Sequence, residues 1–161
     1  MGGTGNSDGH FFYYDVMGRV TKYRDFDHET LNPKEMTFTY AANGQLSTMT
    51  DFNGFTTAYT YDARHRLSTV TVGGKTWTYA YNAYNMPTSV TMPNGIVTEY
   101  VYDDVGRMTK IEHKDGATVL RGWTKTLGND GGITRITEAS GAYWDYDYDA
   151  RNRLTEAWYR N

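Results

Sequence analysis

The chain has 161 residues and a net charge of −3, from 16 Lys and Arg against 19 Asp and Glu. This is the length of one domain or one array of small repeats, and without a basic excess we expect no nucleic-acid partner. Cysteine is absent, which excludes disulfides and thiolate chemistry. No apolar run is long enough to span a membrane, and the start lacks the pattern of a signal peptide.

The apolar composition is aromatic rather than aliphatic. Leu, Ile, Val and Phe together number 25, whereas the chain contains 15 Tyr, 4 Trp and 24 Thr. A low net charge with many aromatic and β-branched residues argues against disorder. These residues favour strands, and 17 Gly are available for turns. The composition therefore predicts an all-β protein.

One repeat dominates the chain after a Gly-rich, polar segment at residues 1–9, which we predict to be a disordered tail. The string Tyr-Asp-x-x-Gly-Arg begins at Tyr14 and again at Tyr102, and weaker copies lie between and after them. Six of the seven copies have another aromatic residue two places before the anchor, and Lys125 stands there in the sixth. The anchors, 20 to 26 residues apart, are Tyr14, Tyr40, Tyr61, Tyr81, Tyr102, Leu127 and Tyr148. Residues 10–161 are therefore predicted to form one repeat array.

The unit over residues 53–74 is typical of a β-hairpin. Asn53-Gly54 indicates a two-residue turn, since both residues tolerate positive φ. Tyr59 and Tyr61 alternate along one strand face, residues 62–65 form a second turn, and residues 67–72 form the return strand. Short turns at both ends force antiparallel neighbours. We therefore expect a meander of about seven hairpins, roughly a dozen strands, with longer connections at residues 27–35 and 121–129.

Apolar residues recur three apart after each turn, as in Leu46/Met49 and Leu67/Val70. Positions three apart face opposite sides of a regular strand. We therefore expect either that both faces are partly covered, or that the first residue belongs to the turn or to a bulge, and we favour the second interpretation.

The repeated string with its Asn-Gly and Asp-Gly spacers resembles the YD repeat of the Rhs family. This family includes Rhs polymorphic toxins, the shell subunits of insecticidal toxin complexes, and teneurins. The resemblance implies a curved sheet that spirals into a hollow shell around a cargo domain, a secreted or cell-surface location, and other repeats or the cargo as partners. The family's autoproteolytic string does not occur here, so the chain resembles a segment of shell wall without catalytic activity.

The signature residues are interpreted as structural, because an active site needs one special copy of a residue rather than several. An Asp in a turn ordinarily accepts hydrogen bonds from backbone N–H groups. The signature residues are Tyr14, Asp15, Gly18, Arg19, Tyr61, Asp62, Tyr102, Asp103, Gly106, Arg107, Tyr148 and Asp149.

Three alternating carboxylates, Asp145, Asp147 and Asp149, are the strongest candidate for a hydrolase or cation site. Alternation would place all three on one strand face, where crowding could raise a pKa. We prefer a solvated face, with Arg151 and Arg153 balancing the charge. The four histidines have no metal-binding spacing, and we predict neither a metal nor a cofactor. They are His10, His28, His65 and His113.

The tryptophans stand outside the repeat slots and carry an alternative function. Trp77, Trp123, Trp144 and Trp158 could form an exposed platform for sugar rings in a carbohydrate or cell-surface binding module. A single-layer sheet of this size would also leave a face and two edges exposed. We therefore expect either closure into a barrel or sandwich, or self-association through the edges.

Overall fold

The computed structural model describes residues 9–26 and 33–161, which form fourteen β-strands and no helix. The strands are β1 Gly9–Tyr14, β2 Val20–Phe26, β3 Lys34–Tyr40, β4 Leu46–Thr50, β5 Thr56–Tyr61, β6 Leu67–Val72, β7 Lys75–Tyr81, β8 Pro87–Thr91, β9 Val97–Tyr102, β10 Met108–Asp115, β11 Thr118–Leu127, β12 Ile133–Glu138, β13 Tyr143–Tyr148 and β14 Leu154–Arg160. Each anchor of the repeat is the last residue of an odd-numbered strand. The predicted seven hairpins are therefore confirmed.

The strands follow one another in chain order in an antiparallel meander. Contacts divide the chain into two units, residues 1–76 with β1–β6 and residues 77–161 with the rest of β7 and β8–β14. Each unit is built of hairpins that pair with the next hairpin along the chain. The all-β meander predicted from the sequence is thus confirmed.

Two predicted irregular segments fall largely outside the described residues. The tail at residues 1–9 lies outside them except for Gly9, which belongs to β1 because it pairs with Phe26. The long connection at 27–35 lies outside them up to residue 32, and Lys34 already pairs with Asp25 in β2–β3.

The segment 121–129, expected to be irregular, lies mostly in β11. Although this sixth copy has lost its signature residues, its backbone still pairs with β10 and β12.

All seven repeat turns share one backbone geometry. The N–H of the residue after the anchor donates to the carbonyl four residues on, and the residue three further on donates back, as in Asp62 with Arg66 and His65 (2.9 Å each). Three residues lie between the two that this first bond joins, so the loop is a three-residue loop. Its last residue, the fourth counted from the Asp position, has left-handed backbone. The left-handed place is filled by Gly18, Gly44, His65, Asn85, Gly106, Gly131 and Asn152, with φ between 60° and 88°. Gly, Asn and His are the residue types that tolerate this conformation best.

Most turns between hairpins repeat the same geometry, which corrects one expectation. Asn53-Gly54 was expected to form a two-residue turn, but only Gly54 has positive φ (82°). The Asp51 N–H donates to the Phe55 carbonyl, so three residues lie between the paired ends, and the Gly54 N–H donates back to the Asp51 carbonyl. A two-residue turn does occur at Gly73-Gly74, where both φ values are positive.

A register shift at the base of every hairpin explains the apolar spacing of three. Leu67 pairs with Tyr61 and Val70 with Tyr59, because one extra residue is accommodated between the two pairs. The bulge interpretation is therefore confirmed, since it returns both apolar residues to the face that carries the aromatic pair. The same four-residue arrangement recurs in all seven hairpins: Tyr14/Val20 with Phe12/Tyr23, Tyr40/Leu46 with Phe38/Met49, Tyr61/Leu67 with Tyr59/Val70, Tyr81/Pro87 with Tyr79/Val90, Tyr102/Met108 with Tyr100/Ile111, Leu127/Ile133 with Lys125/Ile136, and Tyr148/Leu154 with Tyr146/Ala157.

We call this side of the strands the aromatic face and the other side the polar face. The polar face of residues 1–76 carries threonine pairs whose hydroxyls hydrogen-bond across strands. Examples are Thr60 with Thr69 (2.6 Å) and Thr50 with Thr56 (2.8 Å). Among the described residues only Ala142, Thr98 and Gly122 are buried. The single layer thus leaves both faces half-exposed.

The strand order ends at β1 and β14, and each of these strands hydrogen-bonds to one neighbour only. Of the alternatives expected from the sequence, closure into a barrel is therefore wrong for the described residues, while a sandwich form stays a prediction. An edge strand retains a row of unpaired backbone groups. Self-association through these edges stays a prediction.

The left-handed turn geometry gives a test at Gly54. An added Cβ there would meet no atom within 4 Å, so Gly54→Ala should destabilise the chain by the backbone strain alone, about 1–2 kcal/mol. Asn53→Ala, next to it at an ordinary φ, should change the stability by less than about 0.5 kcal/mol. Urea unfolding followed by tryptophan fluorescence measures both, and equal effects would contradict the turn assignment.

Candidate functional site

The repeated Asp organises the turn backbone. In Asp62 the Oδ1 atom accepts the N–H groups of Arg64 (2.8 Å) and Arg66 (3.0 Å). Asp15, Asp103 and Asp149 make the same pair of bonds in their own turns. These bonds satisfy loop N–H groups that have no strand partner, so the carboxylate has a structural use in every copy.

The second carboxylate oxygen holds the signature arginine. Oδ2 of Asp62 accepts from Arg66 Nε at 2.8 Å. The corresponding distances are 2.7 Å for Asp15–Arg19, 2.6 Å for Asp103–Arg107 and 2.7 Å for Asp149–Arg153. Tyr-Asp-x-x-Gly-Arg is thus a self-contained unit. Its Asp binds both the backbone N–H groups of the loop and the side chain of the arginine that follows the loop.

These bonds stabilise the ionised carboxylate. The side-chain and backbone hydrogen bonds from Arg66 lower the pKa of Asp62. The backbone N–H of the paired arginine is the largest cause that lowers the pKa of Asp15 and of Asp149. At Asp103 desolvation acts in the opposite direction, but the bonds from Arg107 outweigh it and the pKa is again lowered. A general acid needs a raised pKa, so none of the four suits that role.

Asp51 plays the same part between two hairpins and was not singled out from the sequence. Its Oδ1 accepts from the N–H groups of Asn53 (2.9 Å) and Phe55 (3.0 Å). Asn82 makes the equivalent bonds to Tyr84 and Met86 in the fourth repeat turn. The signal that could have identified Asp51 is an Asp three residues before a left-handed Gly, as in the signature itself.

At several junctions a hydroxyl of the anchor tyrosine joins a hairpin to the preceding one. Tyr61 Oη donates to the carbonyl of Leu46 at 3.0 Å, which we call a tyrosine clamp. Two further clamps are Tyr40 to Val20 (2.7 Å) and Tyr148 to Ile133 (2.9 Å). The accepting residue is in each case the first of the preceding return strand.

The clamp occupies the place where the ladder between hairpins has ended. The β4–β5 ladder ends at Thr48, two residues beyond Leu46, and the β12–β13 ladder ends at Arg135, two residues beyond Ile133. A carbonyl without a strand partner needs another donor, and the tyrosine supplies it. At the β2–β3 junction, where Tyr40 forms the clamp, the Arg19 guanidinium also lies 4.5 Å from the centroid of the Tyr40 ring, a favourable cation–π distance.

The structure divides the four tryptophans between the two faces. Trp123 pairs with Ile111 and Trp144 with Ile136, which places both on the aromatic face. Trp77 shares that face with Tyr79, since the two positions alternate along β7. Trp158 pairs with Asp145 on the polar face. The four therefore do not form one platform.

Trp123 and Trp144 border an open apolar groove of about 380 Å³ on the aromatic face. Lys125 lies in it because the sixth repeat has lysine where the other repeats have an aromatic ring. No hydrogen bond or ion pair to the Lys125 ammonium occurs within residues 9–26 and 33–161. The groove is completed by Met108, Ile111, Ile136, Glu138 and Tyr146.

The alternating carboxylates do not form a triad. Asp145 and Asp147 face the polar side of β13, but Asp149 lies beyond the strand in the turn, bound to Arg153. Arg135 holds Asp145 through two bonds, Nε to Oδ1 at 2.6 Å and Nη2 to Oδ2 at 3.0 Å, and lowers its pKa. The expectation of one shared strand face is therefore wrong for Asp149, because the bulge and turn begin there.

The histidines serve different local contacts. His113 Nδ1 lies 2.9 Å from the Thr98 hydroxyl, His10 Nδ1 2.8 Å from the Tyr23 hydroxyl, and His65 occupies a left-handed turn position. His28 lies outside the described residues. Within those residues no three His, Asp or Glu side chains form a metal-binding group, and no helix could cross a membrane.

Comparison with known proteins agrees with this repeat geometry. The family model of the teneurin YD-shell matches residues 6–119, and that of the RHS repeat matches residues 129–157. The chain belongs to the teneurin YD-shell family. The family resemblance seen in the sequence is thereby confirmed. A search of curated protein sequences finds no match.

Solved structures of TcdB2-TccC3 and of a Tc holotoxin pore contain the same fold. The structure of TcdB2-TccC3 without its hypervariable C-terminal region superposes with a TM-score of 0.74 at 20% identity, over 89% of this chain and 9% of that one. The Tc holotoxin pore of Photorhabdus luminescens gives 0.73 at 20% identity, over 89% of this chain and 8% of the other. TcdB2-TccC3-Cdc42 gives 0.74 at 19% identity. The chain spans less than a tenth of the length of these proteins.

The tyrosine clamp predicts opposite effects of two substitutions. Tyr61→Phe removes the bond to Leu46 and should lower the free energy of unfolding by about 0.5–1.5 kcal/mol. Leu127→Tyr should raise it by a similar amount, because Met108 holds the matching place before β11 and its ladder also ends two residues on, at Lys110. Urea unfolding measures both.

Tyr84→Phe is the matched control for these variants. Tyr84 is 82% exposed in a turn, so loss of its hydroxyl should leave the stability unchanged. A decrease equal to that of Tyr61→Phe would contradict the clamp.

The turn carboxylates predict acid sensitivity. A carboxyl whose pKa is lower in the folded state than its ordinary 3.8 stabilises the fold above that value, and the contribution is lost as the pH falls through the folded-state pKa. Asp62→Asn should be less stable than wild type near neutral pH and should lose less stability between about pH 6 and about pH 2. Unfolding midpoints across this range measure the difference.

Asp104→Asn is the control for the acid series. Asp104 lies beside Asp103 in the same turn but is exposed and makes no hydrogen bond or ion pair with the described part of the chain. Its acid profile should follow that of wild type. Identical profiles for Asp62→Asn and wild type would exclude the carboxylate–arginine pair as a source of stability.

Proposed function

We propose that the chain is a non-catalytic wall segment of a YD shell that encloses or presents a cargo domain, either a toxin or an adhesion domain. The observation that carries the proposal is the recurrence of the same turn in all seven hairpins, with the tyrosine clamp at several of their junctions. Such a unit extends a wall by one hairpin at a time. Each repeat contacts only its neighbours, as in other repeat proteins.

The use of the polar side chains supports a structural role. The signature aspartates accept hydrogen bonds from loop N–H groups and from arginine side chains. Asp145 accepts hydrogen bonds from Arg135. A catalytic acid or nucleophile must be available to a substrate and have a suitable pKa. We infer that this segment contributes no hydrolase activity.

The exposed aromatic side chains favour partners that bind to the wall itself. Large aromatic side chains remain exposed on a layer that the described residues leave uncovered, for example Phe12 at 53% and Tyr148 at 37%. Exposed apolar surface of this kind marks an interaction site in a soluble protein. We propose further repeats and the cargo as its partners, in a secreted or cell-surface protein.

The shell proposal is tested on the longest polypeptide encoded in the same reading frame as this segment. Electron microscopy of that product should give a hollow particle whose wall contains residues 9–161 and whose interior holds the cargo, and limited proteolysis should leave the cargo intact. A particle in which this segment lies outside a wall, or a product without any enclosed or attached domain, would overturn the proposal.

A second candidate function, glycan binding, is favoured by the groove between Trp123 and Trp144. Trp144 is exposed and Trp123 is half-buried, and Lys125 between them makes no ion pair with Glu138, the carboxylate in the groove. An acidic sugar suits this arrangement, because its ring can stack on an indole and its carboxylate can meet the ammonium. The groove does not include Trp77 or Trp158, so this proposal narrows the platform to two of the four tryptophans.

A glycan array probed with the chain tests this candidate. Binding to sugars that carry a carboxylate should be lost in Trp144→Ala and weakened in Lys125→Met, while Trp77→Ala, on the same face outside the groove, should bind as wild type. Absence of any signal, or equal loss in all three variants, would exclude the groove as a sugar site.

A further inference from the structure

Three turns contain the dipeptide Asn-Gly, and all three share one backbone geometry. In each turn the glycine N–H donates to the carbonyl three residues before it, at 2.9 to 3.0 Å, and the glycine has positive φ. All three asparagines are exposed. Differences in reactivity among them therefore come from the asparagine side chains and not from the backbone or from access to water. The dipeptides are Asn43-Gly44, Asn53-Gly54 and Asn94-Gly95.

The side-chain carbonyl of two of these asparagines is bound to the loop. Asn94 Oδ1 accepts the N–H of Ile96, and Asn43 Oδ1 accepts that of Gln45, both at 3.2 Å. The Asn43 amide also donates to Gln45 Oε1 at 2.7 Å. A side chain held in this way must break a hydrogen bond before it can rotate.

The Asn53 side chain is left free because a neighbouring carboxylate binds the loop instead. The N–H group two residues on, that of Phe55, donates to Asp51 Oδ1 at 3.0 Å, and so does the N–H of Asn53 at 2.9 Å. The place of Asp51 is held in the other two turns by Ala41 and Met92, which have no carboxylate. The Asn53 amide makes no hydrogen bond with any residue that the structure describes.

Asparagine followed by glycine is open to an intramolecular acyl transfer. The backbone nitrogen of the glycine attacks Cγ of the asparagine, so that a new C–N bond forms and the C–N bond of the side-chain amide breaks. The proton lost from the glycine nitrogen ends on the ammonia that leaves. The cyclic imide then takes up one water molecule, which opens it at either carbonyl to give Asp or isoAsp. No electrons are exchanged, and glycine favours the attack because it has no Cβ beside the nitrogen.

We propose that Asn53 is the preferred deamidation site of this chain, and that Asp51 causes the preference by binding the loop N–H groups. The free side chain can turn its Cγ towards the Gly54 nitrogen without first losing a hydrogen bond. One such bond corresponds to a rate difference of roughly 3- to 10-fold. The proposal goes beyond the shell function and does not depend on it, since it concerns a single turn.

The reaction changes the junction between the second and third hairpins, which this turn joins. IsoAsp carries the main chain through its side-chain carbon, so the loop gains one atom before the Gly54 nitrogen. The bond from the Asp51 N–H to the Phe55 carbonyl closes this loop at 3.0 Å, and the added atom strains that closure. The Asp product places a second carboxylate in the same loop as Asp51, and like charges repel. Both products therefore weaken the junction.

Peptide mapping by mass spectrometry during incubation in mildly alkaline buffer is the first experiment. Electron-transfer fragmentation separates Asp from isoAsp and gives a rate for each asparagine. In the folded chain Asn53 should react roughly 3- to 10-fold faster than Asn43 and Asn94. In urea the three rates should converge, because the dipeptide is the same. Equal rates in the folded chain, or the same order of rates in urea, would overturn the proposal.

Removal of the carboxylate is the second experiment, and it separates release of the side chain from general loosening of the fold. Asp51→Ala returns the Phe55 N–H to Asn53, so deamidation of Asn53 should become slower although the turn loses stability. Asp103→Ala, in a repeat turn without Asn-Gly, is the matched control and should leave the rate at Asn53 unchanged. Faster deamidation of Asn53 in folded Asp51→Ala would contradict the proposed cause.

The reverse exchange is the third experiment and does not depend on the folding of Asp51→Ala. Met92→Asp places a carboxylate where it can accept the Ile96 N–H and free the Asn94 side chain. Deamidation of Asn94 in the folded variant should rise roughly 3- to 10-fold, towards the rate of Asn53. An unchanged rate at Asn94 would show that the carboxylate does not control the reaction.

Discussion

The left-handed residue at the fourth place of each repeat turn is the constraint on which the rest of the structure depends. It closes a three-residue loop and adds one extra residue at the base of the return strand. That extra residue reverses the strand's alternation, so the apolar residues at spacing three fall on the face of the aromatic pair. Without it, Leu67 and Val70 would lie on opposite faces and the aromatic layer would be lost.

Side chains complete what this backbone leaves unsatisfied. The Asp of the signature accepts hydrogen bonds from the N–H groups of the loop through one carboxylate oxygen, and the signature arginine donates to the other oxygen. The tyrosine of the next hairpin donates to the carbonyl at the place where the ladder between the strands ends. Loops and ladder ends are the places where backbone groups lack partners. The YD repeat is therefore a compact solution to backbone hydrogen bonding, and its conserved spacing along this chain follows from that geometry.

The sequence predicted the strands, the turns and the bulge well, because these depend on local residue types such as Tyr59, Tyr61 and His65. The sequence did not predict features that depend on where a strand ends or on which distant residues lie beside one another. Asp149 could not be separated from Asp145 by alternation, since the strand ends one residue earlier. Trp123 and Trp144 could not be grouped, because their proximity results from pairing across β11, β12 and β13. Asp51 was missed because its turn was assigned from Asn53-Gly54 alone.

The sixth hairpin combines three departures from the repeat: Lys125 replaces a ring, Leu127 has no hydroxyl, and Gly128 has no carboxylate. In a linear array, contacts are exchanged only with adjacent hairpins. Local weakness is therefore not averaged over a common core. The hairpin nevertheless contains the longest strand, the ten residues of β11, which pairs with both β10 and β12. Backbone pairing thus keeps the sixth hairpin in the array where the signature side chains are missing.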